Sequence, residues 1–190
     1  RYESSAASDV YKRQIIYMSR DTMFAAFQNG EIDDVGAEVL SPADFELIQA
    51  DPVLSDNYLR HFGDFRTDYL LFDTFNPPFD NLDVRKAFAH AVDREAIVAN
   101  VWGPLKAMPA YSMLMPGYPS SDTEGTLRDL QNFDCDLANE HLAAAGFPGG
   151  EGFPKQELWL RGEAPAMAAV FQATAASIAQ CLNIEIEVSN

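Results

Sequence analysis

Cationic side chains are scarce in this 190-residue chain: 13 Lys and Arg stand against 29 Asp and Glu, a formal charge of −16 at pH 7. A surface that acidic repels phosphate backbones, so nucleic acid and anionic membrane are poor partners for it. Long apolar runs are missing too. None approaches the ~20 residues that a membrane-spanning helix needs. Cysteine is limited to Cys135 and Cys181, which make neither a disulfide framework nor a zinc pattern. So few cysteines suit the cytosol and many bacterial exported proteins alike, and they leave the compartment open. Cys135 falls in the first turn of a predicted helix, where a thiolate is favoured. Asp134 and Asp136 flank it and oppose that charge, so it reads as inert.

Catalytic patterns are equally thin. His61, His90 and His141 lie far apart in sequence, and none has metal-ligand spacing. His90 falls opposite the apolar face of its helix and is expected at the surface or partly packed. Asp33-Asp34 and Asp134/Asp136 are the only acid pairs of interest. Adjacent acids on a strand point to opposite faces, and acids at a helix start are ordinary caps, so neither pair suits the acid–base geometry of hydrolysis. No nucleophile elbow surrounds Ser112, Ser120 or Ser121, and no glycine-rich nucleotide loop is present. No catalytic residue, metal site or cofactor is therefore assigned.

What remains is a chain with 47% hydrophobic residues, enough for one compact domain or pieces of two. Residues 1–14 match nothing after them in style, and residues 9–14, DVYKRQ, resemble the translation of a sequencing adapter. This segment is set aside as a non-native tail. Residues 21–29 read as a short helix capped by Asp21 and stopped by Gly30, followed by a strand over 31–35. Ser41-Pro42-Ala43-Asp44 is a strong helix start, and Asp51-Pro52 should end that helix. Strands are predicted over 58–62 and 67–75, with a Gly63-Asp64 turn between them, and Asn76-Pro77-Pro78 as a break. Val84, Ala87, Phe88, Ala91 and Val92 recur at i, i+3, i+4, i+7 and i+8, one apolar helix face. Asp93 is a second N-cap, for a helix over 94–102 stopped by Gly103. Residues 103–125, rich in Pro, Gly and Ser, form a long loop. Its Met108, Met113 and Met115, with Tyr111 and Tyr118, are expected to pack onto the body. Asp134 caps a third helix with Gly146 at its end. A strand over 155–160, a helix over 165–181 ending near Asn183, and a strand over 184–188 complete an α/β pattern.

Residues 67–103, TDYLLFDTFNPPFDNLDVRKAFAHAVDREAIVANVWG, resemble the extracytoplasmic solute-binding proteins of ABC importers, in the peptide/nickel (family 5) group. The resemblance rests on Tyr69, Leu70, Phe72, Pro77, Pro78, Phe79, Asp80, Val84, Arg85, Ala87, Phe88, Ala91, Val92, Asp93, Arg94 and Ile97. Flanking segments agree: FQNGEID at 27–33, the stretch 133–154 with its Gly-Phe-Pro turns, and the strand after Leu182-Asn183. The likeness runs in order from about residue 15 to residue 188.

The resemblance implies a periplasmic-binding-protein-like fold of two α/β lobes around a cleft that closes on ligand, present here as a fragment. Residues 15–75 would belong to the first lobe and 76–190 to the start of the second. Arg85 and Arg94, near Asp83 and Asp93, would brace helix starts. The implied function is capture of short peptides or related small solutes outside the cytoplasmic membrane, in the periplasm or on a lipid anchor. Delivery would be to an ABC permease and ATPase complex, by a monomer, without catalysis. Candidate ligand-binding residues are Arg161 and Glu163, in the strand-to-helix loop, and the aromatics Tyr69 and Trp159, residue types that also fill cores. A sensor or chaperone on the same fold, or a hydrolase using clustered acids, are the alternatives.

Overall fold

The computed structural model of the protein describes residues 18–36, 40–57, 66–103, 106–160 and 165–189. They fall into two compact units, one running through Ala50 and one from Asp51 onward. The tail over 1–14, the predicted strand over 58–62 and the Gly63-Asp64 turn lie outside the described residues.

The first unit holds α1 (Arg20–Gln28) and α2 (Pro42–Ala50). Ser19, not Asp21, is the N-cap residue of α1, and its hydroxyl meets that of Thr22 at 3.0 Å. The C-terminal end of α1 is a Schellman arrangement. Gly30 N–H donates to Phe27 and Glu31 N–H to Ala26, with Gly30 at φ +72°, the left-handed position that glycine takes without a Cβ penalty. This end consumes Glu31, and residues 31–35 form a bend with no ladder partner among the described residues, correcting the strand predicted there. The start of α2 is as predicted. Asp44 Oδ2 accepts from Ser41 N–H at 2.7 Å, and Ser41 Oγ accepts from Asp44 N–H at 3.2 Å, a reciprocal capping box with an aspartate in the usual glutamate place.

In the second unit, Asp51-Pro52 ends one helix and starts another, α3 (Pro52–Asn57). Asp51 Oδ1 accepts from Val53 and Leu54 N–H, and Pro52 takes the first helical position, where a missing N–H costs nothing. Residues 66–73 carry no strand ladder, against the predicted strand over 67–75. The alternation is nevertheless real. Leu70 and Phe72 pack against the core, while Tyr69, Leu71 and Phe75 are exposed. The Pro77–Pro78 peptide bond is cis.

α4 (Leu82–His90) is capped by Asn81, whose side chain accepts from Asp83 N–H at 2.8 Å. Val84, Ala87, Phe88, Ala91 and Val92 are all buried, as their spacing predicts. Asp93 caps α5 (Arg94–Ile97) through Ala96 N–H at 2.9 Å. The helix widens into a π turn over Val98–Trp102, closed by Gly103 N–H donating to Val98. The long loop follows, and a 3₁₀ turn at Arg128–Leu130 comes after it. α6 (Cys135–Ala144) starts at Asp134, which accepts from Leu137 N–H at 3.0 Å, and ends on Gly146 at φ +101°.

β1 (Gln156–Trp159), α7 (Pro165–Leu182) and β2 (Ile186–Ser189) form one βαβ unit. The strands are parallel, with Gln156 opposite Ile186 and Trp159 opposite Ser189; a crossover helix is what joins parallel neighbours. α4 packs on α6, α6 on α7, and α7 on β2 and the π turn. Val84, Ala138, Leu142, Ile178 and Leu182 form the sealed centre. Gly150 lies so close to the end of α7 that a Cβ there would stand 2.4 Å from the Asn183 carbonyl oxygen and 2.6 Å from that of Leu182. Asn183 itself is left-handed, at φ +53°, and its side chain donates to the Gly149 carbonyl at 3.0 Å.

Two expectations are overturned by non-local packing. His90 is buried, 4% exposed, because α6 and the segment before it cover the second face of α4. Its Nδ1 lies 2.8 Å from the Asn132 carbonyl oxygen, and its ring stacks on His141, whose own Nδ1 is 2.9 Å from Asp83. Cys135 and Cys181 are joined in a disulfide, with Cα atoms 5.3 Å apart. Sequence spacing alone does not bring them together; the docking of α6 on α7 does.

Candidate functional site

The carboxyl ends of parallel strands are where open α/β sheets place their ligands. Here that end is formed by Trp159, Leu160 and Ser189. Leu160 N–H donates to the Ser189 carbonyl at 2.8 Å, continuing the ladder, and Ser189 Oγ donates to Glu157 Oε1 at 2.6 Å. Burial alternates along β1: Gln156 and Leu158 turn inward, Glu157 and Trp159 outward. Trp159 is therefore 65% exposed, on the solvent face rather than in the core. Beyond Leu160 the chain crosses to the start of α7. Arg161 and Glu163 belong to that crossing and lie outside the described residues.

Tyr69 is 53% exposed. Its segment is tied down by Leu70 and Phe72 on the core and by Thr67 Oγ1 donating to the Met113 carbonyl at 3.1 Å. No ring contact joins Tyr69 to Trp159 among the described residues.

The opposite end of the sheet carries a fixed charge cluster. Lys155 Nζ sits 3.0 Å from Glu185 and 2.8 Å from Glu187. These hydrogen bonds raise the ammonium's pKa and hold Glu187 below the ordinary carboxylate range. This cation thus has two carboxylate partners at the surface.

A second polar cluster clasps the long loop, and sequence reading missed it. Arg94 is partly buried and donates to the carbonyls of Ala89, Val92 and Gln131 and to Gln131 Oε1. Burial lowers its pKa. Tyr111 OH donates to Glu95 at 3.1 Å, Arg128 pairs with the same carboxylate, and both guanidiniums lie over the Tyr111 ring. Burial first, then Glu95, pushes the phenol's pKa up. Tyr111 thus packs on the body, and Met115 is half-buried too. Met108, Met113 and Tyr118 remain exposed, contrary to expectation. Arg85 braces the approach to α4 through the Phe79 and Asp80 carbonyls, at 2.6 and 3.0 Å. Arg85 thus acts on backbone oxygens, and Arg94 on backbone oxygens and the Gln131 side chain, rather than on Asp83 and Asp93. Among the described residues, no three His, Cys, Asp or Glu side chains are grouped to hold a metal ion.

Comparison with known proteins decides the family. Residues 7–190 match the bacterial extracellular solute-binding proteins, family 5 Middle. The chain belongs to that family. It is 33% identical over 131 residues to Heme-binding protein A of Haemophilus influenzae, covering 68% of this chain and 22% of that protein. It is 36% identical over 106 residues to the dipeptide-binding protein DppE of Bacillus subtilis, covering 54% of this chain and 17% of that protein. The chain therefore spans about a fifth of the length of these relatives. Among solved structures, it superposes on a periplasmic oligopeptide-binding protein from Borrelia burgdorferi with a TM-score of 0.63 at 21% identity, covering 89% of this chain and 31% of that one. It superposes on the clavulanic acid biosynthesis oligopeptide binding protein 2 with a TM-score of 0.61 at 27% identity, covering 91% and 31%. The periplasmic-binding-protein fold class is thus established for this family 5 chain. No helix among the described residues is long and apolar enough to cross a membrane.

Proposed function

We propose that the whole protein is the substrate-binding component of an ABC importer, capturing short peptides or related small solutes outside the cytoplasmic membrane and delivering them to the permease. The family match across residues 7–190 carries this reading. The names of the dipeptide- and oligopeptide-binding relatives support the peptide class, and the Cys135–Cys181 disulfide suits an oxidising, extracytoplasmic compartment. In this reading residues 15–75 serve the first lobe and 76–190 the second.

Arg161, Glu163, Trp159 and Tyr69 are the ligand-binding residues in this proposal. Trp159 stands at the carboxyl end of β1, and Arg161 follows it in the crossing to α7; no other Lys or Arg lies between Lys155 and residue 190. A desolvated Arg–carboxylate bond lost on truncation costs about 2–5 kcal/mol, roughly 30-fold to several-thousand-fold in affinity. Calorimetry of the whole protein with a small peptide pool is expected to show binding that weakens by that factor in Arg161→Ala. The haem-binding relative sets the competing arm. A Soret shift on hemin addition with no peptide heat would overturn the peptide class. Unchanged peptide affinity in Arg161→Ala would remove Arg161 from the site.

A further inference from the structure

Cys135 opens α6 and Cys181 lies in the last turn of α7, so the disulfide joins the two helices across 46 residues of sequence. Both cysteines are only partly buried, and both line an open groove of about 470 Å³ between α7 and the α5–π segment. Ala96, Ile97 and Val101 form one wall, Ala173 and Ala176 the other. Ser177 also lines the groove, but it is already committed. Its Oγ accepts from Asp93 N–H at 3.0 Å and donates to the Ala91 carbonyl at 2.8 Å, which fixes the walls relative to each other.

The helices are also held together without the sulfur bridge. Asn139 Nδ2 donates to both the Cys135 and the Cys181 carbonyls, each at 2.7 Å. Behind it, Ala138, Leu142, Ile178 and Leu182 are sealed from solvent. A disulfide whose two cysteines line an open groove, between helices that an independent clamp also joins, can open without unfolding its surroundings, because exchange rates depend on access to the sulfurs.

We propose that Cys135–Cys181 is a thiol-exchange site, at which a small thiol entering the groove reversibly opens the bridge in the folded protein. The thiolate attacks one cysteine sulfur. A mixed disulfide forms as the Cys–Cys bond breaks, and the other cysteine leaves as a thiolate that takes a proton from water. A second thiol resolves the mixed disulfide. The protein gains two electrons and two protons, and two small thiols become one small-molecule disulfide. The product is a groove bearing two thiols between helices still joined through Asn139.

The test compares 2-mercaptoethanol with a bulky thiolated dextran on native protein. Released thiols are trapped with a maleimide and counted by mass spectrometry, and helical circular dichroism is followed in parallel. The expected result is two trapped thiols per chain with the helical signal retained, and a rate about tenfold or more below this for the dextran thiol, which the groove excludes. Ala176→Phe, at an exposed position on the groove wall, should slow the small thiol by a similar factor. Trapping only at denaturant concentrations that abolish the helical signal would overturn the proposal, and so would equal rates for the two thiols. If Ala176→Phe does not fold, the size comparison still decides.

Discussion

Phe88 offers a direct measure of how much the second unit depends on its aromatic centre. The side chain is 4% exposed. Its ring meets Phe72 at 5.7 Å and Phe79 at 5.0 Å, both edge-on, and Phe153 at 5.8 Å. Emptying a buried aromatic site costs about 3–5 kcal/mol, and each edge-to-face pair adds about 0.5–1.5 kcal/mol beyond burial. With two such pairs lost, Phe88→Ala should fall near the top of the first range. At about 2–4 °C per kcal/mol for a chain of this size, the melting temperature should drop by roughly 10 °C or more. Phe75 is the internal control: the same residue type, 93% exposed, whose replacement by Ala should stay within about 0.5 kcal/mol. Urea melts read by Trp102, which packs against the same core, give both numbers. A loss below ~1 kcal/mol for Phe88→Ala, or equal losses for the two variants, would refute the assignment of this helix face.

Three further outcomes follow from the same structure. Replacing Cys135 and Cys181 together by Ser should lower stability by about 2–4 kcal/mol, since the bridge closes a long loop in the unfolded chain; denaturant midpoints unchanged from wild type would show that the staple adds nothing. Gly150→Ala should cost about 1–3 kcal/mol, because φ +79° and a carbonyl 2.4 Å from the new Cβ leave it no relaxed position; a melting curve matching wild type would contradict this. Asp73 and Asp122, whose hydrogen bonds to neighbouring side chains and backbone N–H groups hold their pKa values down, and Glu187 beside Lys155, contribute stability that is complete above the ordinary carboxylate range near pH ~4. That contribution is lost as pH falls through their lowered values, so Asp122→Asn should flatten the acid limb of a melting-temperature profile, and an identical limb would remove Asp122 from the account.

What could be read from sequence was mostly what local chemistry decides. The box at Ser41 and Asp44, the caps Asp93 and Asp134, and the left-handed stops Gly146 and Asn183 each involve residues within a few positions of one another. Where two local solutions compete, sequence alone chose less well, since Ser19 rather than Asp21 caps α1; Asp51-Pro52 ends its helix as expected, and Pro52 also starts the next. Strand status was illegible at 31–35 and 67–75 because a strand needs a ladder partner as well as alternation. The alternation itself was correct, since Leu70 and Phe72 do face the core. The buried His90, the Cys135–Cys181 bridge and the Tyr111 clasp depend on segments that meet only in three dimensions.

Much of the stretch that makes the family legible is also used by the fold. Phe72, Phe79 and Phe88 build one aromatic cluster. Arg85 and Arg94 donate to backbone carbonyls, Arg94 also to the Gln131 side chain, and Asp93 caps a helix while its N–H reaches Ser177 on α7. Residues so engaged hold a scaffold together. In the function proposed above, ligand choice is assigned instead to side chains that the core does not need, such as the exposed Trp159 at a strand end. A signature of this kind therefore identifies the scaffold firmly and says little about its cargo, which is why the haem- and dipeptide-binding relatives both align with the same chain.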